Sequence, residues 1–189
     1  GGEVVRYIRR YGSDRISKIV LLGAVTPSMK KTFANPSGVD QSVFDEMAAS
    51  IEKDRFAFMT EFSKQFFGVT LLNKPVSAEM MNHYASIAYG SAPHAITECA
   101  KSFSQTMFET DVASVNVPTL IIHGESDKTV PIEATGERAA ALIPGSRFIR
   151  YTDAPHGFFY TDKEKLNSDL LEFLGDPAHA ESFSSVKYA

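Results

Sequence analysis

The sequence predicts an α/β fold, a mostly parallel sheet flanked by helices, with a helical cap inserted between two of its strands. Three observations carry that expectation. Short continuous apolar runs at Ile19–Leu22 and Thr119–Ile122 read as strands buried on both faces, as parallel strands are. Between them, from residue 40 to about residue 110, the apolar period becomes helical. Finally, the runs Thr119–Ile122 and Arg147–Tyr151 are each followed by a loop carrying a titratable side chain, Asp127 and His156. In open α/β sheets the carboxyl ends of the strands are where ligands bind.

Residues 1–26 read as a helix and the core strand after it. Val4, Val5 and Ile8 are apolar, Tyr7 and Tyr11 lie on neighbouring turns, and Gly12 stands where a C-cap is expected. A start directly on a helix reads as a cut beginning, and helix followed by strand Arg15–Ala24 reads as half of a βαβ unit. Arg6, Arg9 and Arg10 sit at helical spacing, which reads as a solvated face rather than a phosphate patch.

Residues 27–112 read as the cap. After the loop Pro27–Gly38, Val43, Phe44, Met47, Ala48 and Ile51 keep helical spacing, as do Phe58, Met59, Phe62 and Phe66. Ser77 is placed to N-cap a further helix, with Met80, Met81, Tyr84, Ile87 and Ala88 inward, and Pro93 can open another through Phe103. Most of this Met and Phe content is core. Phe58, Phe62, Phe66 and Met81 are the candidates for lining an apolar substrate pocket, because such a cap overlies the carboxyl edge.

Residues 113–175 return to the core. A helix is expected over Glu133–Leu142, then Pro144-Gly145, the strand Arg147–Tyr151 and an amphipathic helix Lys163–Leu174 closed by Gly175-Asp-Pro. Residues 176–189 read as a polar tail.

Composition narrows the function. The chain has 189 residues, 43% hydrophobic and 22% charged, and a net charge of −4, which is ordinary for a globular protein and argues against a nucleic-acid partner. Cys99 is the single cysteine, so no internal disulfide or thiolate metal site can form. No HExxH, GxGxxG or GxxxxGK pattern occurs, so neither metal nor nucleotide cofactor is expected. There is neither a leader with a cleavage site nor an apolar stretch of bilayer length. The expectation is therefore a cytoplasmic protein without a membrane partner.

The chemistry centres on His156, in a Pro-His-Gly turn after a strand. A general base there needs an acid on its other nitrogen to fix the tautomer and stabilise the imidazolium. Asp127, from the preceding parallel strand, is the candidate. Glu125 and Asp153 are rivals, but Asp153 is too near His156 in sequence to reach the ring easily and suits the turn. His123, at a strand end, reads as structural. Acid then histidine is the second half of a Ser…Asp…His order.

With these residues in place, VPTLIIHGESDKTVP, DAPHGF, LLGAVTP and the opening GGEVVRYIRRYG resemble the α/β-hydrolase family. More closely they are similar to its cofactor-free (non-haem) chloroperoxidase and aryl-esterase branch, whose nucleophile elbow reads G-x-S-M-G-G-G-E-V. Gly1-Gly2-Glu3-Val4 matches the end of that elbow. The resemblance implies Asp127 as triad acid, His156 as general base, esterase activity on small or aryl esters, and no cofactor. It also implies a perhydrolase side reaction, in which a carboxylic acid and peroxide give a peracid that oxidises halide.

The family pattern is departed from in one respect: no G-x-S-x-G occurs, and no serine here replaces the nucleophile by motif. Ser28 could approach the edge, but nothing in its setting marks a nucleophile. The expectation is that the serine lies upstream of Gly1, in the same or a second chain supplying the N-terminal half, and that the chain alone is inactive. Strand Ile16–Gly23 would then be an open edge, and the helix carrying Val4, Val5 and Ile8 would keep an uncovered face. Family members often assemble, so a homo-oligomer is expected. The alternative is a non-catalytic truncated hydrolase that serves as an interaction or oligomerisation module.

Overall fold

The computed structural model describes residues 1–175; the expected tail, 176–189, lies outside the described residues. In chain order the elements are α1 (Gly2–Tyr11), β1 (Ile19–Leu22), α2 (Gln41–Phe66), α3 (Ala78–Tyr89), α4 (Pro93–Gln105) and α5 (Glu109–Val112). They continue with β2 (Thr119–Gly124), α6 (Gly136–Leu142), β3 (Arg147–Tyr151), α7 (Phe158–Thr161) and α8 (Lys163–Leu174). The described strands form one parallel sheet in the order β1-β2-β3, with Leu21 opposite Ile121 and Ile121 opposite Phe148.

β2 explains why Leu120–Ile122 is an unbroken apolar run. Side chains of a strand alternate between faces, and here both faces are covered. Ile121 packs with Val5, Ile8, Ile19, Leu21, Val112 and Ile143. Leu120 and Ile122 pack on the other side with Tyr151, Phe158 and Leu166. On α1, Val5 and Ile8 are fully buried, and the face that stays open carries Val4, Tyr7 and Tyr11 instead. Arg6 is less solvated than its spacing suggests, because it donates to both oxygens of buried Asp111.

The cap is α2, α3 and α4. α2 is two helices joined at Asp54, whose backbone leaves helical geometry (φ −159°, ψ 90°) while its Oδ1 accepts the N–H groups of Phe56 and Ala57. That is the capping logic of a new helix start. Ser77 caps α3 as its sequence context indicates, with Oγ accepting from the Met80 N–H at 3.1 Å. α5, grouped with the cap by sequence, packs instead on α1 and α6 at the core. Helix α6 begins later than expected: Pro131–Thr135 forms tight turns, and the Ala134 carbonyl accepts from the buried Asn35 amide. No described helix is long and apolar enough to cross a membrane.

Contacts at both ends of α2 fasten the cap to the carboxyl edge. Near its start α2 packs Phe44 against Met29 and Val130, and at its end the Phe66 carbonyl accepts the Gly157 N–H at 2.7 Å. One helix thereby touches both of the loops that follow β2 and β3.

Candidate active site

β2 ends at Gly124, and the chain turns so that Asp127 N–H reaches the Gly124 carbonyl. The turn points the Asp127 side chain inward, fully buried. Its Oδ1 accepts two backbone N–H groups, from Thr129 at 2.9 Å and Val130 at 2.7 Å. Its Oδ2 lies 2.6 Å from His156 Nδ1 and 3.3 Å from His123 Nε2.

His156 arrives from the loop after β3. Asp153 takes the left-handed conformation there (φ 58°), which aspartate tolerates better than most residues. The two loops are zipped by Glu125 N–H to the Tyr151 carbonyl and Ser126 N–H to the Ala154 carbonyl. Neighbouring parallel strands that end at one edge bring residues 29 apart in sequence into a 2.6 Å contact.

Burial alone would raise the Asp127 carboxyl above its ordinary range. The neighbouring His123 and His156 donors, the charge of His156 and the Val130 N–H outweigh it, and the net effect holds Asp127 below that range. Asp127 is therefore a carboxylate whose oxygens are all engaged. Since it only accepts, His156 Nδ1 carries the proton and Nε2 presents its lone pair. Among the described residues nothing hydrogen-bonds that Nε2, and the side chain is 21% exposed. Such an imidazole can take a proton from a hydroxyl and return it.

The other expected residues separate into two groups. The Phe66 ring meets the His156 ring edge-on, with centroids 4.9 Å apart. Phe62 lies 5.9 Å from Phe66, and Phe58 5.9 Å from Phe62, so the three form a ladder at i, i+4 spacing. Phe58 and Phe62 also line an apolar cavity of about 280 Å³ between α2, α3 and α4, with Met47, Ile51, Ile96 and Phe103. Met81, half-buried on α3, belongs to neither the ladder nor that lining.

Glu125 is exposed and faces Arg150, 4.0 Å away. Ser28 is buried, and its Oγ accepts the Lys30 N–H and approaches Met107 Sδ. Gly23, at the end of β1, was not singled out by sequence. Its φ is +49°, and a Cβ there would stand 3.2 Å from His156 Nδ1 and Cε1, so only glycine lets the ring lie over this strand end. Among the described residues no group of three His, Cys, Asp or Glu side chains could hold a metal ion.

A parallel sheet whose adjacent strand ends deliver an acid and a histidine in hydrogen bond defines a hydrolase-type α/β fold. The chain belongs to the α/β hydrolase fold family, whose model matches residues 1–163. It is 35% identical over 176 residues to a non-heme chloroperoxidase of Kitasatospora aureofaciens, covering 92% of this chain and 64% of that protein. It is also 35% identical to a bifunctional esterase/perhydrolase of Acinetobacter calcoaceticus, with 92% and 63% covered. Among solved structures it is similar to the bromoperoxidase of Bacillus anthracis, with a TM-score of 0.89 and 40% identity over 93% of this chain and 64% of that one. The chain thus spans somewhat less than two thirds of the length of these relatives.

Proposed function

We propose that this chain carries the acid and base of a serine hydrolase that cleaves small or aryl carboxylic esters through an acyl-enzyme. The observation that carries the reading is the 2.6 Å contact between His156 Nδ1 and the saturated Asp127 carboxylate, with Nε2 left clear. In this reading a serine hydroxyl attacks the ester carbonyl and His156 Nε2 takes its proton. His156 then returns the proton to the leaving alkoxide, and Asp127 orients the ring and stabilises the imidazolium. Water attacks the acyl-enzyme by the same route and releases the acid.

The names of the relatives support a second outcome at the acyl-enzyme. Hydrogen peroxide in place of water would release a peracid, which oxidises halide and is itself reduced back to the carboxylic acid. Neither step calls for a resident cofactor. Phe58, Phe62 and Phe66 would shape the space for the acyl or aryl group. The reading puts the nucleophile outside residues 1–189, in a preceding segment or a second chain, and expects those residues alone to turn over no ester.

Fluorophosphonate labelling followed by intact mass measurement tests it. The intact protein should gain one covalent adduct and lose it in His156→Ala, with ester turnover lowered by roughly six orders of magnitude. Full turnover in His156→Ala would sink the reading.

A further inference from the structure

We propose that His123 is a positioning residue of the acid: its Nε2–H, bonded to the Val130 carbonyl and facing Asp127 Oδ2 at 3.3 Å, fixes the carboxylate that holds His156. The proposal rests on the hydrolase reading for its kinetic consequences, but its geometry stands apart from it.

Among the described residues His123 is the one histidine inside a strand, β2, following the apolar run Leu120–Ile122, and it has no solvent exposure. Burying an imidazole is unfavourable unless its nitrogens find partners. Here only one does. Nε2 lies 2.8 Å from the Val130 carbonyl and 3.3 Å from Asp127 Oδ2. A carbonyl and a carboxylate can only accept, so the proton of His123 sits on Nε2. The shorter contact is the hydrogen bond, and the longer one is electrostatic.

Nδ1 is buried without a hydrogen-bond partner among the described residues. It faces Gly136, where a Cβ would stand only 2.6 Å from it, so the first residue of α6 leaves space for the bare nitrogen and nothing more. An unpaired buried acceptor is a standing cost. A leucine would fill the same slot without it. The ring is accounted for by its other side, where the N–H meets the acid.

His123 closes a small circuit. Its N–H donates to the Val130 carbonyl, the Val130 N–H donates to Asp127 Oδ1, and His123 Nε2 also faces Oδ2. Backbone N–H groups hold one carboxylate oxygen and imidazoles the other. The plane of the carboxylate, and with it the direction in which Oδ2 meets His156, is set from both sides. His123, His156 and the Val130 N–H together hold Asp127 ionised against the opposing effect of burial.

Two variants of the intact protein separate positioning from packing. His123→Leu keeps the volume and removes the donor; the amide of His123→Gln can stand near the place of Nε2. In His123→Leu, kcat for ester turnover should fall roughly 10- to 100-fold with KM unchanged. The acid limb of its pH–rate profile should move to higher pH, because an Oδ2 no longer faced by the His123 N–H binds the shared proton of the pair more tightly. His123→Gln should recover most of both changes. A His123→Leu enzyme with an unmoved pH profile, or a glutamine variant no better than leucine, would overturn the proposal.

If His123→Leu does not fold, the wild type still decides. Long-range ¹H–¹⁵N spectra should show His123 protonated on Nε2 and bare on Nδ1; the opposite tautomer overturns the proposal outright. That spectrum does not depend on turnover, so failure of the hydrolase reading, seen as full activity in His156→Ala, remains distinguishable.

Discussion

The loops after β2 and β3 and the helices α2–α4 are neighbours built on opposite principles. In the loops, Asp127 Oδ1 accepts two backbone N–H groups, Oδ2 meets the His156 ring with His123 Nε2 3.3 Å away, and the paired turns leave little freedom. In the cap, the inner surface is an apolar cavity, α2 breaks at Asp54, and Leu71 and Leu72 between α2 and α3 are almost wholly exposed. Hydrogen bonds are directional and fix atoms to a few tenths of an ångström. Apolar contacts are not, and tolerate many shapes of similar volume. Under the proposed function, chemistry would fall to the first region and selection of the apolar group to the second.

The sharpest way to break this contrast is at the acid. Asp127→Asn keeps the shape but withdraws the charge, and is expected to lower kcat of the intact protein by about 10⁴-fold with little change in KM. A loss confined to KM would contradict the division. Next in size is a comparison of cores. Ile122→Ala, beneath the site, should cost about 2–5 kcal/mol of stability, whereas Phe62→Ala in the half-buried cap wall should cost about 1–2 kcal/mol. Urea unfolding of the two variants measures the gap, and equal values would mean the cap is as tightly packed as the sheet.

Phe66 stands at the junction of the two regions. Phe66→Ala removes the edge-on ring from His156 and should lower kcat/KM roughly 2- to 10-fold, with a larger loss for aryl than for acetyl esters. A uniform loss across esters would place Phe66 with the chemistry rather than with selection. The smallest expected effect is on acid stability. Asp127 in the folded protein titrates below its ordinary value of 3.8, so its contribution is fully present above that pH and is lost as pH falls below it. Unfolding free energies measured from pH 5 down to about pH 2 should fall less steeply in Asp127→Asn than in wild type.

Both regions were legible in the sequence, but to different depths. β2 and α8 follow directly from runs and periods, because burial on two faces or one stripe writes itself into neighbouring residues. Asp127 and His156 were legible because each sits just after a strand, and parallel strands end at a common edge. The ladder Phe58–Phe62–Phe66 follows from i, i+4 spacing, yet nothing in that spacing says which ring meets His156. Met81 has the same helical context and joins neither cavity nor ladder. α5 reads as cap by its place in the chain and is core by its contacts.

Periodicity, turn chemistry and residue type are local, and they determined the parallel sheet, the helical insertion and the acid-then-histidine order. Convergence is not local. That Gly23 lies beneath His156 and that α2 touches both of the loops after β2 and β3 depend on separations of more than 80 residues closing in space, the shortest from Phe44 to Val130. Such contacts are set by how whole elements pack, and only the tertiary structure decided them.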